Sequence, residues 1–199
     1  KHGRREMLEW CDKAYDHVQE LDKEFSDWLC VPRSVRTTSI KPSGTVSLLN
    51  GSTPGIHYPE AEYYIRRIRF SVGNVILKAI EDAGYHVEED AYSPNTMVAS
   101  FPVHEPFFQK GKSEATMWEQ LEIAAAYQHY WADNSVSVTV TFNGDEAKDI
   151  KTALEMYESR LKAVSFLRFQ ETGYEQAPYE PITKEQYEEM SKNITPIDR

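Results

Sequence analysis

From residue 96 to residue 169 the chain alternates β-branched or apolar runs with stretches long enough for helices, and this alternation limits the fold more than any single motif does. Strands are expected near 96–101, 135–142 and 163–169, with helices near 114–131 and 145–160 between them. Helical connections of that length join parallel neighbours, whereas an antiparallel pair needs only a tight turn. The pattern therefore predicts β-α-β crossovers and a parallel sheet with outer helices. In the middle run Val136, Val138, Val140 and Phe142 alternate with serine and threonine, which gives one apolar face and one face of small hydroxyls. Ser113 is placed to cap the helix 114–131, and Ile123, Tyr127, Tyr130 and Trp131 give that helix an apolar side.

Upstream, residues 4–29 read as one helix, with Met7, Trp10, Cys11, Ala14, Val18, Leu21, Phe25 and Trp28 at three- and four-residue spacing, ended by Pro32. Val35 to Ile40 is a short β-branched run that breaks into Lys41-Pro42-Ser43-Gly44-Thr45 and resumes as Val46-Ser47-Leu48-Leu49. That break has the chemistry of a phosphate cradle. Gly44 lets backbone N–H groups turn toward an anion, Ser43 and Thr45 add short donors, Pro42 stiffens the entry, and Lys41 brings a positive charge to the edge. The same residues also make ordinary turns. A structured loop follows over 50–59, then a strand over Tyr63 to Phe70 and a helix over Val75 to Ala83 that stops at Gly84. Near the end, Thr183 and Gln186 have capping-box spacing for a short helix. The expected organisation is one domain over 1–199, with a helical segment at 1–31, strands and helices over 33–172 and an extension over 173–199.

The net charge of −10 argues against a general nucleic-acid or anionic-membrane binder, which gains from a positive field. An anionic small molecule would need a local basic patch, and Arg33, Arg36, Lys41, Arg66, Arg67 and Arg69 gather around the loop. Two cysteines, Cys11 and Cys30, without paired spacing fit a reducing compartment. Neither a signal peptide nor an apolar run of membrane-spanning length is read, so the expected location is cytoplasmic. The start at Lys1 and the helix that begins at once suggest a piece of something longer.

Catalytic and metal motifs are sparse. The six histidines show no H-x-x-x-H or H-E-x-x-H spacing, so no metal site is expected. No G-x-S-x-G elbow, Walker motif or G-x-G-x-x-G is present. His57, in the loop after the cradle, is a candidate to donate to substrate, with bonding to backbone as the competing reading. On the residues alone the chain binds something phosphorylated and carries no obvious catalytic group.

Six motifs in order make a more specific reading. They are Arg36 through Thr45, Pro54-Gly55-Ile56-His57, Tyr64-Ile65-Arg66-Arg67-Ile68-Arg69-Phe70, Asn95-Thr96-Met97-Val98, Tyr130 through Phe142, and Gln176-Ala177-Pro178-Tyr179-Glu180-Pro181-Ile182. Together, from about Arg33 to Thr195, they resemble the C-terminal part of the adenosylcobalamin-dependent (class II) ribonucleoside-triphosphate reductases. The resemblance implies roughly the second half of an α/β barrel built from two parallel half-barrels. It also implies adenosylcobalamin as cofactor, bound only in the complete barrel. In that family a cobalamin-derived radical passes to a finger-loop cysteine, the thiyl removes the substrate's 3′ hydrogen, and a cysteine pair supplies electrons that thioredoxin later restores through a tail. The resemblance places the substrate phosphates on Pro42, Ser43, Gly44, Thr45, Val46 and Ser47, and puts Lys41, His57 and Arg66 near substrate or cofactor.

Departures limit what carries over. Cys11 and Cys30 match none of the family's redox cysteines, so no catalytic residue is expected in this chain, and the isolated chain is expected to reduce nothing. The expected partners are a ribonucleoside triphosphate, the missing N-terminal catalytic half, and thioredoxin through a tail absent here, with neither nucleic acid nor membrane. Ser165 and Phe166 stand where di-iron reductases carry adjacent radical-relay tyrosines, which favours the cobalamin class. The alternative is a non-catalytic phosphate-binding or structural half-barrel module.

Overall fold

The structure, a computed structural model, describes residues 3–41, 47, 52–53, 55–169 and 175–195. In chain order the elements are α1 (Arg4–Leu29), β1 (Tyr63–Ser71), α2 (Ile76–Asp82), β2 (His86–Glu89), β3 (Thr96–His104), α3 (Met117–Tyr130) and β4 (Thr139–Phe142). A 3-10 turn (Ala147–Asp149) leads to α4 (Ile150–Tyr157), β5 (Ser165–Arg168), β6 (Tyr179–Pro181) and α5 (Lys184–Ser191). They group into two units, Lys1–Tyr58 with Ala115–Phe169, and Pro59–Glu114 with Gln170–Arg199.

In the first unit β4 and β5 pair in parallel, Thr139 opposite Ser165 and Phe142 opposite Arg168, joined by the crossover through α4. The run before β4 has a second parallel neighbour. Asn134 and Ser137 donate their backbone N–H groups to the carbonyls of Thr38 and Ile40, at 3.3 and 3.2 Å, so residues 38–40 lie alongside 134–137 without forming a ladder. The parallel runs read from the sequence are therefore present here, and the regular strand is shorter than 135–142. Met117, Leu121 and Ala125 of α3 pack with Val140, Ala153 and Tyr157 into an apolar core, of the kind in which each fully buried large side chain contributes about 1.5–3 kcal/mol.

Helix α3 starts three residues later than a Ser113 cap would place it. The Thr116 hydroxyl accepts from the Glu119 N–H, and the Glu119 carboxylate accepts from the Thr116 N–H, a reciprocal box that Ser113 cannot form. Its buried side is Met117, Gln120, Leu121 and the three alanines 124–126. Ile123, Tyr127, Tyr130 and Trp131 are only half-buried, because alanines allow the close approach that aromatic rings would prevent.

The second unit is an antiparallel sheet in the order β2-β3-β1-β6. Tyr63 lies opposite His104 and Ser71 opposite Thr96 along the central pair. The parallel alternation read from the sequence does not extend to these strands. β2 returns directly into β3 through a turn in which Asp90 Oδ1 accepts the Tyr92 and Ser93 N–H groups at 2.8 and 3.0 Å, with no helix between the strands. The Thr183–Gln186 capping box forms as read, and Tyr187 of α5 packs on Tyr63 at 5.3 Å between ring centroids. Helix α2 stops at Gly84, which takes a left-handed φ of +89°, and a side chain there would strike the Asn193 backbone carbonyl.

Candidate functional site

Two of the sequence motifs meet in the first unit, around Asp133. Its Oδ2 accepts the Thr37 N–H at 2.9 Å and the Thr37 hydroxyl at 3.1 Å, and its Oδ1 accepts the Tyr15 hydroxyl at 2.8 Å. Gln19 of α1 donates to the Thr37 hydroxyl oxygen at 2.7 Å. The Thr38 hydroxyl donates to the Trp131 carbonyl and accepts the Asp133 N–H at 3.1 Å. Arg36 donates to the Asn134 side-chain oxygen at 3.1 Å, and the Trp131 indole N–H reaches the Ser39 carbonyl at 3.4 Å. The second strip is held in turn by Gln128, which donates to the Ala132 and Asn134 carbonyls at 2.7 and 3.0 Å and accepts the Val136 N–H at 3.0 Å.

The Asp133 carboxyl is held below the usual carboxylate range, first by the Thr37 N–H and then by the Tyr15 and Thr37 hydroxyls, against the opposing cost of desolvation. An ionised carboxylate that only accepts is the right partner for a segment presenting donors on one side. The clamp ends at Ile40, one residue before Lys41 and two before the proposed cradle. It thus fixes the strip of chain from which the loop emerges.

The edge of β4 turned away from β5 is closed by groups other than a strand. The Ile40 carbonyl takes the Ser137 N–H, His57 Nε2 takes the Thr139 N–H at 3.1 Å, and Gln120 pairs with both backbone groups of Thr141. Gln120 Nε2 donates to the Thr141 carbonyl at 2.8 Å, and its Oε1 accepts the Thr141 N–H at 2.9 Å and the hydroxyl at 3.1 Å. His57 thus bonds to backbone through Nε2. Accepting at Nε2 makes that ring nitrogen an acceptor and not a donor. The hydroxyl at Thr141 is likewise buried and bonded.

Parallel strands deliver ligand-binding loops at their C-terminal ends. In this unit that end carries Lys41, Asn143, Gly144 and Arg168. Lys41 is exposed. Arg168, which the sequence reading missed, is also exposed, and its guanidinium lies against Gly144, where a Cβ would stand 3.3 Å from its Nη2. Among the described residues no carboxylate pairs with Arg168, in contrast to Arg4, Arg5 and Arg160. A cation after the last strand is a signal only once the strand is known to be parallel and its end to be shared. Of the proposed cradle, Ser47 is half-buried and its carbonyl accepts the Ser52 N–H at 3.1 Å. Pro42, Ser43, Gly44, Thr45 and Val46 lie outside the described residues.

Arg66 belongs to the second unit. Its guanidinium donates to the Arg67 and Pro178 carbonyls at 3.1 and 3.0 Å and stacks 4.4 Å over the Tyr179 ring. Arg67 reaches the Ala177 carbonyl at 3.0 Å and pairs with Glu180 at 2.6 Å, while Arg69 reaches the Gln176 carbonyl at 3.2 Å and pairs with Asp90. These arginines bind the chain's own 176–180 segment, which explains why the Tyr64–Phe70 and Gln176–Ile182 motifs occur together. Nearby, the Tyr64 hydroxyl donates to Glu105 at 2.9 Å, and burial, then that carboxylate, push the phenol well above its ordinary range.

A groove of about 680 Å3 at the opposite, N-terminal end of β5 is lined by Arg4, Glu122, His129, Arg160 and Lys162. Its two arginines are both committed to Glu122, at 2.6 and 2.9 Å, which offsets their attraction for an added anion. The Arg160 hydrogen bond foremost, with Arg4 and Tyr157, lowers the Glu122 carboxyl to about 2. A carboxyl depressed in the folded state stabilises it above its ordinary value of 4.5, and that contribution is lost as pH falls toward 2. Glu122→Gln is therefore expected to lower the thermal midpoint at pH 7 and to bring it close to that of the parent chain near pH 2. An equal deficit at both pH values in a melting series would exclude the ion-pair origin.

The Cys11 thiol is pushed up by burial, and Cys30 is exposed at the left-handed C-cap of α1. Among the described residues no group of three or more His, Cys, Asp or Glu side chains is placed to hold a metal ion, and no helix is long and apolar enough to cross a membrane.

No protein-family model matches the chain. It is 44% identical over 195 residues to the adenosylcobalamin-dependent ribonucleoside-triphosphate reductase of Euglena gracilis, covering 96% of this chain and 27% of that protein. It is 43% identical over 200 residues to a probable enzyme of the same name from Dictyostelium discoideum, covering 98% of this chain and 26% of the relative. A crystal structure of a B12-dependent (class II) ribonucleotide reductase superposes with a TM-score of 0.89 at 34% identity, over 98% of this chain and 28% of that one. The chain spans about a quarter of the length of the curated relatives it matches.

Proposed function

We propose, from the premise that this chain belongs to the adenosylcobalamin-dependent ribonucleotide reductase family, that it serves as the part of such a reductase that holds the substrate's phosphates and forms one wall of the barrel. The observation that carries this reading is the Asp133 clamp, which ties the Arg36–Ile40 strip to the Trp131–Asn134 strip immediately before the Pro42-Ser43-Gly44-Thr45-Val46-Ser47 loop. In this role the loop's N–H groups and hydroxyls donate to the triphosphate, and Lys41 and Arg168 add positive charge at the same end of the parallel runs. His57 keeps the β4 edge closed beside them. Arg66 acts at one remove, by holding the 176–180 segment.

Adenosylcobalamin, when bound in a reductase of this kind, supplies the radical that starts ribonucleotide reduction. Neither Cys11 nor Cys30 lies in a redox motif, and in this reading the thiyl chemistry and the thioredoxin-linked tail belong to the rest of the enzyme. The task of this chain is to bind and orient.

The test is a hybrid in which the matching quarter of the Euglena reductase is replaced by this chain. With adenosylcobalamin, a ribonucleoside triphosphate and a dithiol, the hybrid is expected to form deoxynucleotide, while the chain alone forms none. A folded hybrid that binds cobalamin and yields no deoxynucleotide would favour the structural-module alternative. In the active hybrid, Arg168→Gln is expected to raise KM for the triphosphate about tenfold with kcat little changed, the effect of losing about 1.4 kcal/mol of binding. Arg168→Lys should recover part of the loss, and an unchanged KM would remove Arg168 from the site.

A further inference from the structure

Of the six asparagines, Asn50 and Asn143 precede a glycine, and of these two Asn143 lies within the described residues. The other four are followed by Val75, Thr96, Ser135 and Ile194, three of them β-branched side chains that crowd the next backbone nitrogen. Asn143 follows β4 directly and is half-buried. Its main chain is held twice, the N–H by Glu146 Oε2 at 2.9 Å and the carbonyl by the Glu146 N–H at 3.0 Å. Its side-chain amide makes no hydrogen bond among the described residues, in contrast to Asn134, whose amide bonds to Arg36 and to the Thr38 carbonyl. Gly144 is exposed, and a Cβ there would stand 3.3 Å from Arg168 Nη2, so the guanidinium packs where a side chain would be. The space that Arg168 occupies is available because residue 144 is glycine.

We infer that Asn143-Gly144 is a self-modifying site, at which the chain converts its own asparagine to aspartate and isoaspartate. The Gly144 nitrogen, after losing its proton to solvent base, attacks Asn143 Cγ. A nitrogen–carbon bond forms, the bond from Cγ to the side-chain nitrogen breaks, and ammonia leaves. Water then opens the cyclic imide at either carbonyl, which gives a carboxylate on the normal chain or on a chain lengthened by one methylene. The sum is amide plus water to carboxylate plus ammonium, with no oxidant or reductant involved. Arg168 assists, because a cation over Gly144 favours both the deprotonated nitrogen and the oxyanion formed at Cγ. The product carboxylate stands beside Arg168, draws it into an ion pair and lowers the positive charge at the end assigned above to the triphosphate. This last consequence rests on that assignment, whereas the conversion itself does not. The molecule thus carries a loss of substrate affinity that accrues with age.

The test holds the full chain in mildly alkaline buffer, folded and in parallel unfolded in urea, and maps its peptides by mass spectrometry, with isoaspartate read by enzymatic methylation. Asn134 falls with Asn143 between Lys112 and Lys148, in one tryptic peptide, and serves as the internal reference. In the folded chain Asn143 is expected to convert while Asn134 stays an amide. Arg168→Gln should slow that conversion several-fold in the folded chain and leave the rate in urea unchanged, a difference that the dipeptide alone would not produce. Arg168→Lys should keep most of the folded rate, and Gly144→Ala should suppress conversion in both states. Intact Asn143 in the folded chain, after a time that converts it in urea, would overturn the proposal, and so would equal folded rates for the parent and Arg168→Gln. In the hybrid reductase Asn143→Asp installs the product directly and is expected to raise KM for the triphosphate about fivefold with kcat little changed. Conversion of Asn143 with an unchanged KM for Asn143→Asp defeats the assignment of the phosphate end alone, and a raised KM with Asn143 stable defeats the self-modification alone.

Discussion

Replacing Gln120 with alanine is expected to destabilise the chain by about 3 kcal/mol, the largest effect among the polar substitutions considered. Gln120 is 9% exposed and its amide satisfies the N–H, the carbonyl and the hydroxyl of Thr141, itself buried on a strand edge that, among the described residues, has no neighbouring strand. Each buried polar group left without a partner costs about 1–3 kcal/mol, far more than the net worth of a solvated bond. The cavity left by the missing side chain adds to this. Gln120→Met separates the two causes, because it restores volume without polar atoms. If unpaired groups dominate, the methionine variant should be nearly as unstable as the alanine variant in urea titrations. If methionine restores stability, packing is the main contribution of Gln120.

The second large effect is expected at Asp133. Asp133→Ala removes three accepted hydrogen bonds and leaves the Thr37 N–H and the Tyr15 hydroxyl unpaired in a half-buried setting. Hydrogen bonds to a charged group contribute about 1.5–3 kcal/mol each where water cannot replace them, and partial exposure here reduces the total to about 2–3 kcal/mol. Asp133→Asn keeps the shape while replacing one accepting oxygen with a donor that faces other donors, so it should recover little. Because the folded-state carboxyl titrates below its ordinary value of 3.8, the Asp133 contribution is present above that value and lost as pH falls through the lower one. The difference between parent and Asn variant should therefore narrow at acid pH. In the hybrid reductase the same variant should raise KM for the triphosphate more than it lowers kcat, since the clamp positions the loop and touches no reacting atom. A stable Asp133→Ala chain with an unaltered KM would mean that the strip before the loop needs no clamp.

These two residues also show where reading the sequence stops. Short-range features were legible: the helices of 4–29, 76–82 and 184–191, the stop at Gly84, and the Thr183–Gln186 box all depend on residues within a few positions of one another. The parallel pairing of the runs near 135–142 and 163–169 was legible for a similar reason, since a helix-length connection restricts the geometry, whereas 35–40 read only as a short β-branched run and its place beside 134–137 was not legible. The antiparallel sheet was not, because β2 is four residues long and has no periodic signature distinguishing it from a loop. Ser113 and Thr116 both suit a cap, and only the carboxylate at Glu119 decides between them. The apolar positions of α1 read as one stripe, although they divide between a face that packs and a face that stays open.

Nothing local marks Asp133 or Gln120, whose partners are 96 and 21 residues away. The motif resemblance named the Tyr130–Phe142 segment without saying what Asp133 does in it. Arg66, Arg67 and Arg69 were read as available charge, but their guanidinium groups satisfy carbonyls of the 176–178 segment, a use that charge counting cannot distinguish from anion binding. Arg168 went unremarked for the opposite reason, since a single arginine after a short strand has no pattern. Its place at the shared C-terminal end of the parallel runs gives it meaning.

The most direct measurement is steady-state kinetics of the hybrid reductase carrying Ser43→Ala and Thr45→Ala together. If the loop holds the triphosphate, losing two hydroxyl donors to a charged group should lower kcat/KM by about a hundredfold or more, chiefly through KM, with cobalamin binding unchanged. A kcat/KM within about twofold of the parent hybrid would show that the substrate's phosphates are held elsewhere and would contradict the role assigned to this chain.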